Sequence, residues 1–250
     1  MISKELIEYS LNKDTFVEYK EVTSSTNDDV EKYIGKDDKK DFVVIAGLQT
    51  KGRGRLDHSF ASPKGGLYFS ILKNTKNLKS EDILLITPIV ALSVYRAIKE
   101  VLHKETDIKW INDILYQNKK VCGILCEAKQ SFEYVIIGIG IDYKLSLDSL
   151  DISLKEIVGT LSSENDIDLS NELIIATINN INELIDKLPD RNFLEEYRAH
   201  CITIGKSIAF NYNNERRKAK ALDVLDEGSL QVQEGDRIYS LNVGEVSIIR

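Results

Sequence analysis

A run of β-branched and apolar residues, Phe42, Val43, Val44, Ile45 and Ala46, opens into Gln49-Thr50-Lys51-Gly52-Arg53-Gly54-Arg55. The chain then returns through Pro63-Lys64-Gly65-Gly66 into a second alternating run, residues 67–72. Both apolar runs read as strands, so any fold available to this chain must hold a long, glycine-rich, basic loop between two strands. Residues 51–55 carry three cations, two glycines and no acid. Glycine lets successive backbone N–H groups turn toward one point, and guanidinium forks suit phosphate or carboxylate. One reading is an anion cradle; the other is a solvated basic loop.

The rest of the composition makes that loop local. Over 250 residues the formal net charge is −7, with 42% apolar and 29% charged residues. That is the balance of a globular protein able to bury a sizeable core, and not of a surface built to attract nucleic acid. The cysteines Cys122, Cys126 and Cys201 lack the paired spacing of a disulfide framework and read as buried thiols. His58, His103 and His200 are scattered, so no metal-ligand set emerges. No apolar run approaches the roughly 18 residues of a membrane span, and the N-terminus has no signal-peptide core, which sets a cytoplasmic expectation.

In chain order, Ser25-Thr26-Asn27 followed by Asp28-Asp29 reads as a helix start, with one of the first three as cap. Apolar positions between 80 and 105 recur at spacings of three and four, which predicts one long amphipathic helix, kinked at Pro88 or beginning near Thr87. Residues 107–116 read as one strand ending in polar groups, and 117–120 as a turn. Residues 121–128 and 133–143 read as two further strands, carrying Gly123, Gly138 and Gly140. Glycines in strand patterns mark bulges or places where a ligand lies against backbone. Residues 145–168 read as loop with a short helical piece, 170–188 as a helix ended by Pro189, and 193–201 as a shorter one. Beyond Gly205, five short strands separated by turn signals predict a small β-barrel. The expected division is therefore 1–204 and 205–250. Arg216, Arg217, Lys218 and Lys220 form a second basic cluster, read as a solvated face.

Ser25-Thr26-Asn27, residues 49–55, Lys109-Trp110-Ile111-Asn112-Asp113, Lys119-Lys120 with Gly123-Ile124-Leu125, and Gly138-Ile139-Gly140-Ile141 occur in the order found in biotin protein ligases. The chain resembles that family from about residue 15 to its end, including Gly244-Glu245-Val246-Ser247. The resemblance implies an α+β fold: a mixed sheet flanked by helices, like class II aminoacyl-tRNA synthetases and lipoate ligases, plus the small C-terminal barrel. It implies ATP, biotin and Mg2+. It also implies two steps, formation of biotinyl-5'-adenylate and transfer of biotin to a lysine of a biotin carboxyl carrier domain, such as that of acetyl-CoA carboxylase or pyruvate carboxylase.

The resemblance assigns biotin contacts to Ser25, Thr26, Asn27, Gln49, Gly52, Arg53, Gly54, Arg55, Lys120, Gly123 and Gly138. It assigns ATP contacts to Arg53, Arg55, Trp110, Asn112, Asp113, Lys120, Gly140 and Asp142, with Lys120 for electrostatic catalysis and Arg55 for retaining the adenylate. The chemistry agrees, since adenylation brings a carboxylate to a phosphate and needs converging cations but no protein nucleophile. Four positions depart from the family pattern: Asp57 and His58 where Gly-Arg is usual, Ile111 for a common proline, and Asp142 for an asparagine. Residues 1–20 are too few for a winged helix-turn-helix, so direct DNA binding is not expected. A sheet edge could pair into a homodimer. The alternatives are a ligase for lipoate or another short-chain acid on the same scaffold, and a non-catalytic biotin-binding module.

Overall fold

The structure is a computed structural model and describes residues 2–11, 13–56, 58–212, 215–242 and 246–249. At its centre is a seven-stranded sheet in the order β1-β2-β3-β7-β6-β5-β4. The strands are β1 (Thr15–Lys20), β2 (Asp41–Ala46), β3 (Leu67–Asn74), β4 (Asp107–Lys109), β5 (Asp113–Tyr116), β6 (Lys119–Lys129) and β7 (Tyr134–Ile141). β1 and β2 run parallel and every other neighbouring pair antiparallel. β2 and β7 are buried along their whole length, which is why they read as continuous apolar runs without polar alternation.

The two faces of the sheet are covered differently. On one, α4 (Ile86–Leu102) and α6 (Ser170–Asp186) pack together over the sheet. Their apolar stripes join Val43, Ile45, Ile71 and Ile137 in the main core. On the other face, the short α2 (Thr26–Glu31) sets Val30 against Phe42, Val44, Leu72 and Ile136. This second cluster covers only part of the face and leaves the floor beyond it, toward β6, to the basic loop. Ser25 is the N-cap of α2, but its side chain makes no capping bond.

Two expected elements take a different form. Of the alternatives for 80–105, a kink or a start near Thr87, the second holds: a separate α3 (Ser80–Ile83) precedes α4, which begins at Ile86, and Pro88 lies in its first turn. There its missing N–H has no intrahelical role, so a break costs less than a kink. The single strand expected over 107–116 is a hairpin, β4 turning at 110–112 into β5. At the bend, buried Trp110 donates its backbone N–H to Thr203 Oγ1 and its Nε1–H to the Gly228 carbonyl, each at 3.0 Å. The next turn is tighter than expected, with Gln117 and Asn118 both at positive φ, the conformation of a two-residue hairpin.

Residues 145–168 hold a short 3-10 turn and α5 (Ile152–Lys155), and α7 (Phe193–His200) follows α6. The expected C-terminal β unit is a five-stranded antiparallel sheet in the order β11-β10-β9-β8-β12. It comprises β8 (Ser207–Tyr212), β9 (Glu215–Val224), β10 (Leu230–Glu234), β11 (Arg237–Leu241) and β12 (Val246–Ile248). Asn213, Asn214, Gly244 and Glu245, to which turns and part of the family pattern were assigned, lie outside the described residues, as does Asp57. The apolar residues of this sheet, among them Ile208, Val224 and Leu230, belong to the same contiguous core as the large sheet.

Candidate active site

The floor of the site is a row of glycines. Cross-strand partners share a face, and Gly123 opposes Gly140 while Leu125 opposes Gly138, so these positions form one patch facing α2 and the basic loop. A Cβ at Gly138 would stand 2.3 Å from Asn27 Oδ1, and one at Gly140 would stand 2.4 Å from the Phe60 ring. The glycines thus let other groups lie directly on the sheet backbone.

Lys120 reaches this floor through an irregularity. Strict alternation would put residue 120 on the face of Cys122 and away from Gly123. Between β5 and β6 the register shifts: Ile114 opposes Cys122, but Leu115 opposes Lys120, so Val121 is skipped. The backbone of Lys120 bonds instead to the 157–159 segment, donating to Ile157 O at 2.7 Å and accepting from Gly159 N at 2.8 Å. This bulge turns Lys120 to the glycine side, as bulges beside functional sites commonly do. Its Nζ lies 2.7 Å from Asp113 Oδ1 and 5.8 Å from the Phe60 ring centroid.

The loop closes over the floor with each arginine held. Arg53 forms a bidentate pair with Glu127 at 3.1 and 2.9 Å and also meets Asp28 at 2.9 Å. Arg55 donates to Asn112 Oδ1 at 3.0 Å, and Asn112 Nδ2 donates to the Ile124 carbonyl. Gly54 donates its N–H to His58 O, and Phe60 donates to Gly52 O, folding the loop back on itself. Gly52 has no space for a side chain, because a Cβ there would be 2.4 Å from Phe60 O. At the opposite wall, Gln49 Oε1 accepts from Thr26 N and lies 3.0 Å from Thr26 Oγ1, and Gln49 Nε2 donates to Ser62 Oγ.

Ser25, Thr26, Asn27, Gln49, Arg53, Gly54, Arg55, Asn112, Lys120, Gly123, Gly138 and Gly140 therefore border one cavity. Four other residues named from the sequence do not. Gly52 serves the loop's own fold. Trp110 is buried with its indole turned to Gly228, so its role in this structure is to join the β4–β5 bend to the C-terminal sheet. Asp113 faces Lys120 as its ion partner. Asp142 is 3% exposed just beyond the end of β7, its backbone N–H bonded to Val121 O. Burial pushes its carboxyl up to about 8, with the nearby Lys120 working against the shift. Ile111, a departure from the family pattern, is also buried.

Sequence reading missed Glu127, Ser70 and Leu125. Glu127 was legible in principle, since it lies four residues beyond Gly123 and so on the same strand face. Ser70 was hidden as a polar position in an alternating strand. The arrangement has pre-placed cations, aimed N–H groups and a floor without side chains, and so can hold an elongated ligand with anionic groups at the Lys120–Arg55 end.

Residues 19–142 match the biotin/lipoate A/B protein ligase family. The bifunctional ligase/repressor BirA of Bacillus spizizenii is 29% identical over 240 residues, covering 90% of this chain and 72% of that protein. A biotin--[acetyl-CoA-carboxylase] ligase of Mycobacterium tuberculosis is 24% identical, covering 83% and 79%. Among solved structures, the biotin protein ligase from Aquifex aeolicus in complex with biotin and ATP superposes with a TM-score of 0.79 at 26% identity, covering 94% of this chain and 99% of that one. Through residues 19–142 the chain belongs to the biotin/lipoate A/B protein ligase family, and the BirA and Aquifex aeolicus matches extend over 90% and 94% of its length.

Proposed function

We propose that this chain is an ATP-dependent biotin protein ligase. A carboxylate oxygen of biotin attacks the α-phosphorus of ATP and pyrophosphate leaves. The ε-amine of an acceptor lysine then attacks the acyl carbon of biotinyl-5'-adenylate, and AMP leaves. The observation that carries the reading is the bulge, which sets Lys120 on the glycine face under the loop that bears Arg55. A cation fixed there meets charge as it develops on the phosphate, at no reorganisation cost. Arg55, held by Asn112, closes the same end and retains the adenylate until an acceptor arrives.

Thr26, Asn27 and Gln49, at the far wall, take the polar ring of biotin, and the apolar side chain of Leu125, on the glycine face, borders its tail. Asp113, beside Lys120, is the carboxylate that would be available to a Mg2+ ion accompanying the nucleotide, and such an ion would neutralise phosphate charge. The acceptor is a biotin carboxyl carrier domain, and the catalytic unit is 1–204, with 205–250 seated on it.

The test is biotin-dependent exchange of labelled pyrophosphate into ATP, with lipoate and octanoate alongside. Exchange with biotin alone supports the reading, and exchange with lipoate or octanoate instead would reassign the acid. The Lys120→Ala variant should lose about 10²-fold or more of the exchange rate while keeping its fold. Undiminished exchange would remove Lys120 from the mechanism.

A further inference from the structure

At the far end of the floor from Lys120, the Glu127 carboxylate joins three separate parts of the chain. Its Oε2 accepts from Asn27 Nδ2 at 2.8 Å and from an Arg53 amino group at 2.9 Å, and its Oε1 accepts from the other Arg53 amino group at 3.1 Å. A carboxylate can only accept, so it takes the Nδ2 side of the Asn27 amide and turns Oδ1 the other way. There Oδ1 accepts from Ser70 Oγ at 2.6 Å. Ser70 Oγ also lies 2.7 Å from Thr26 Oγ1, which lies 3.0 Å from Gln49 Oε1.

Each hydroxyl has one proton to give. Once the Ser70 proton is committed to Asn27, its contact with Thr26 is made with the Thr26 proton. Gln49 Oε1 keeps its bond from the Thr26 backbone N–H at 2.8 Å. The chain thus runs one way, from Thr26 to Ser70 to Asn27 to Glu127, and the carboxylate at its end sets the direction. That direction decides which donors and acceptors Thr26 and Asn27 offer to a ligand on the glycine floor.

We propose that Glu127 is a positioning residue that sets specificity for the ligand's polar head, by fixing the donor and acceptor order of the Thr26–Ser70–Asn27 chain. Arg53 locks the carboxylate in place from the loop side, so loop closure and head recognition share one anchor. A glutamine at 127 can donate as well as accept, which frees the Asn27 amide to turn over. An aspartate keeps the acceptor character with a shorter reach.

The proposal rests on the reading of biotin as the acid, so the experiment separates the two. Wild-type protein is first assayed for pyrophosphate exchange with biotin, and failure there overturns the functional reading without involving Glu127. The ratio of kcat/KM for biotin over 2-iminobiotin, in which the ureido acceptor is replaced by a donor, is then measured in wild type, Glu127→Gln and Glu127→Asp. In Glu127→Gln the ratio should fall tenfold or more, through the KM for biotin, with kcat and the KM for ATP within about threefold of wild type. Glu127→Asp should restore most of the ratio. A purely structural role would lower both substrates by the same factor. An unchanged ratio in Glu127→Gln, or equal losses on both acids in the two variants, overturns the proposal.

Discussion

Replacing Asp142 by Asn should change how stability depends on pH. The carboxyl is 3% exposed and its pKa is pushed up to about 8, chiefly by burial. The groups that act on it electrostatically or feel its charge are Lys120 and Cys122 from β6 and Tyr68 from β3. Because the folded-state pKa lies above the unfolded value near 4, the proton is bound more tightly in the folded chain. Its contribution is therefore complete below about pH 4 and is lost as pH rises through 8. Four units at about 1.4 kcal/mol each set a ceiling near 6 kcal/mol. Relaxation around the buried charge returns part of that, leaving a loss of about 2–3 kcal/mol. The amide has nothing to ionise. Urea unfolding at pH 4, 7 and 9 should give nearly equal stabilities for the two proteins at the acid end and an advantage for Asp142→Asn that grows up to about pH 8 and holds at pH 9. In Tm that advantage is about 5–10 °C for a chain of this size. Parallel pH curves for the two proteins would refute the reasoning.

Gly138→Ala puts a methyl group 2.3 Å from Asn27 Oδ1, and Asn27 cannot swing aside without giving up its bond to Ser70 or to Glu127. Losing one costs about 1–3 kcal/mol, so calorimetric affinity for biotin should fall by ten- to a hundredfold; wild-type affinity would mean the floor is not the contact surface. Trp110→Phe removes the bond from Nε1–H to the Gly228 carbonyl and leaves that oxygen buried without it. The urea midpoint should drop by the equivalent of about 1–3 kcal/mol, and an unshifted midpoint would show that the indole N–H adds nothing to holding the two sheets together.

Much of the sheet was legible because its central strands are buried on both faces and so stand out as unbroken apolar runs, as with residues 42–46 and 134–141. Local signals also located the loop, since Gly52, Gly54 and the three cations need no tertiary information to be noticed. What the sequence hid was set by contacts distant in the chain. The 107–116 segment folds back into a hairpin whose bend is fixed by Thr203 and Gly228, neither of which is visible from local periodicity. Trp110 was placed beside the nucleotide by motif order, whereas its ring is turned toward the C-terminal sheet. Glu127 was passed over because an acid at the end of a strand reads as solvated until its partners, a hundred residues before it and in the loop, are brought to it.

The skipped residue at Val121 has a consequence for how mutations in this strand should be read. Lysine and glycine are separated by an odd number of positions along β6, so their common orientation depends on the chain length between them as much as on their identities. Inserting one residue into β5 between Ile114 and Leu115, opposite Val121, would restore regular pairing, improve the local ladder and rotate the lysine to the helix side. Every side chain of the cavity would still be present. A lesion of that kind is invisible to a residue-by-residue inventory, and it makes the one-residue difference in length between the paired stretches of β5 and β6 a heritable trait in its own right.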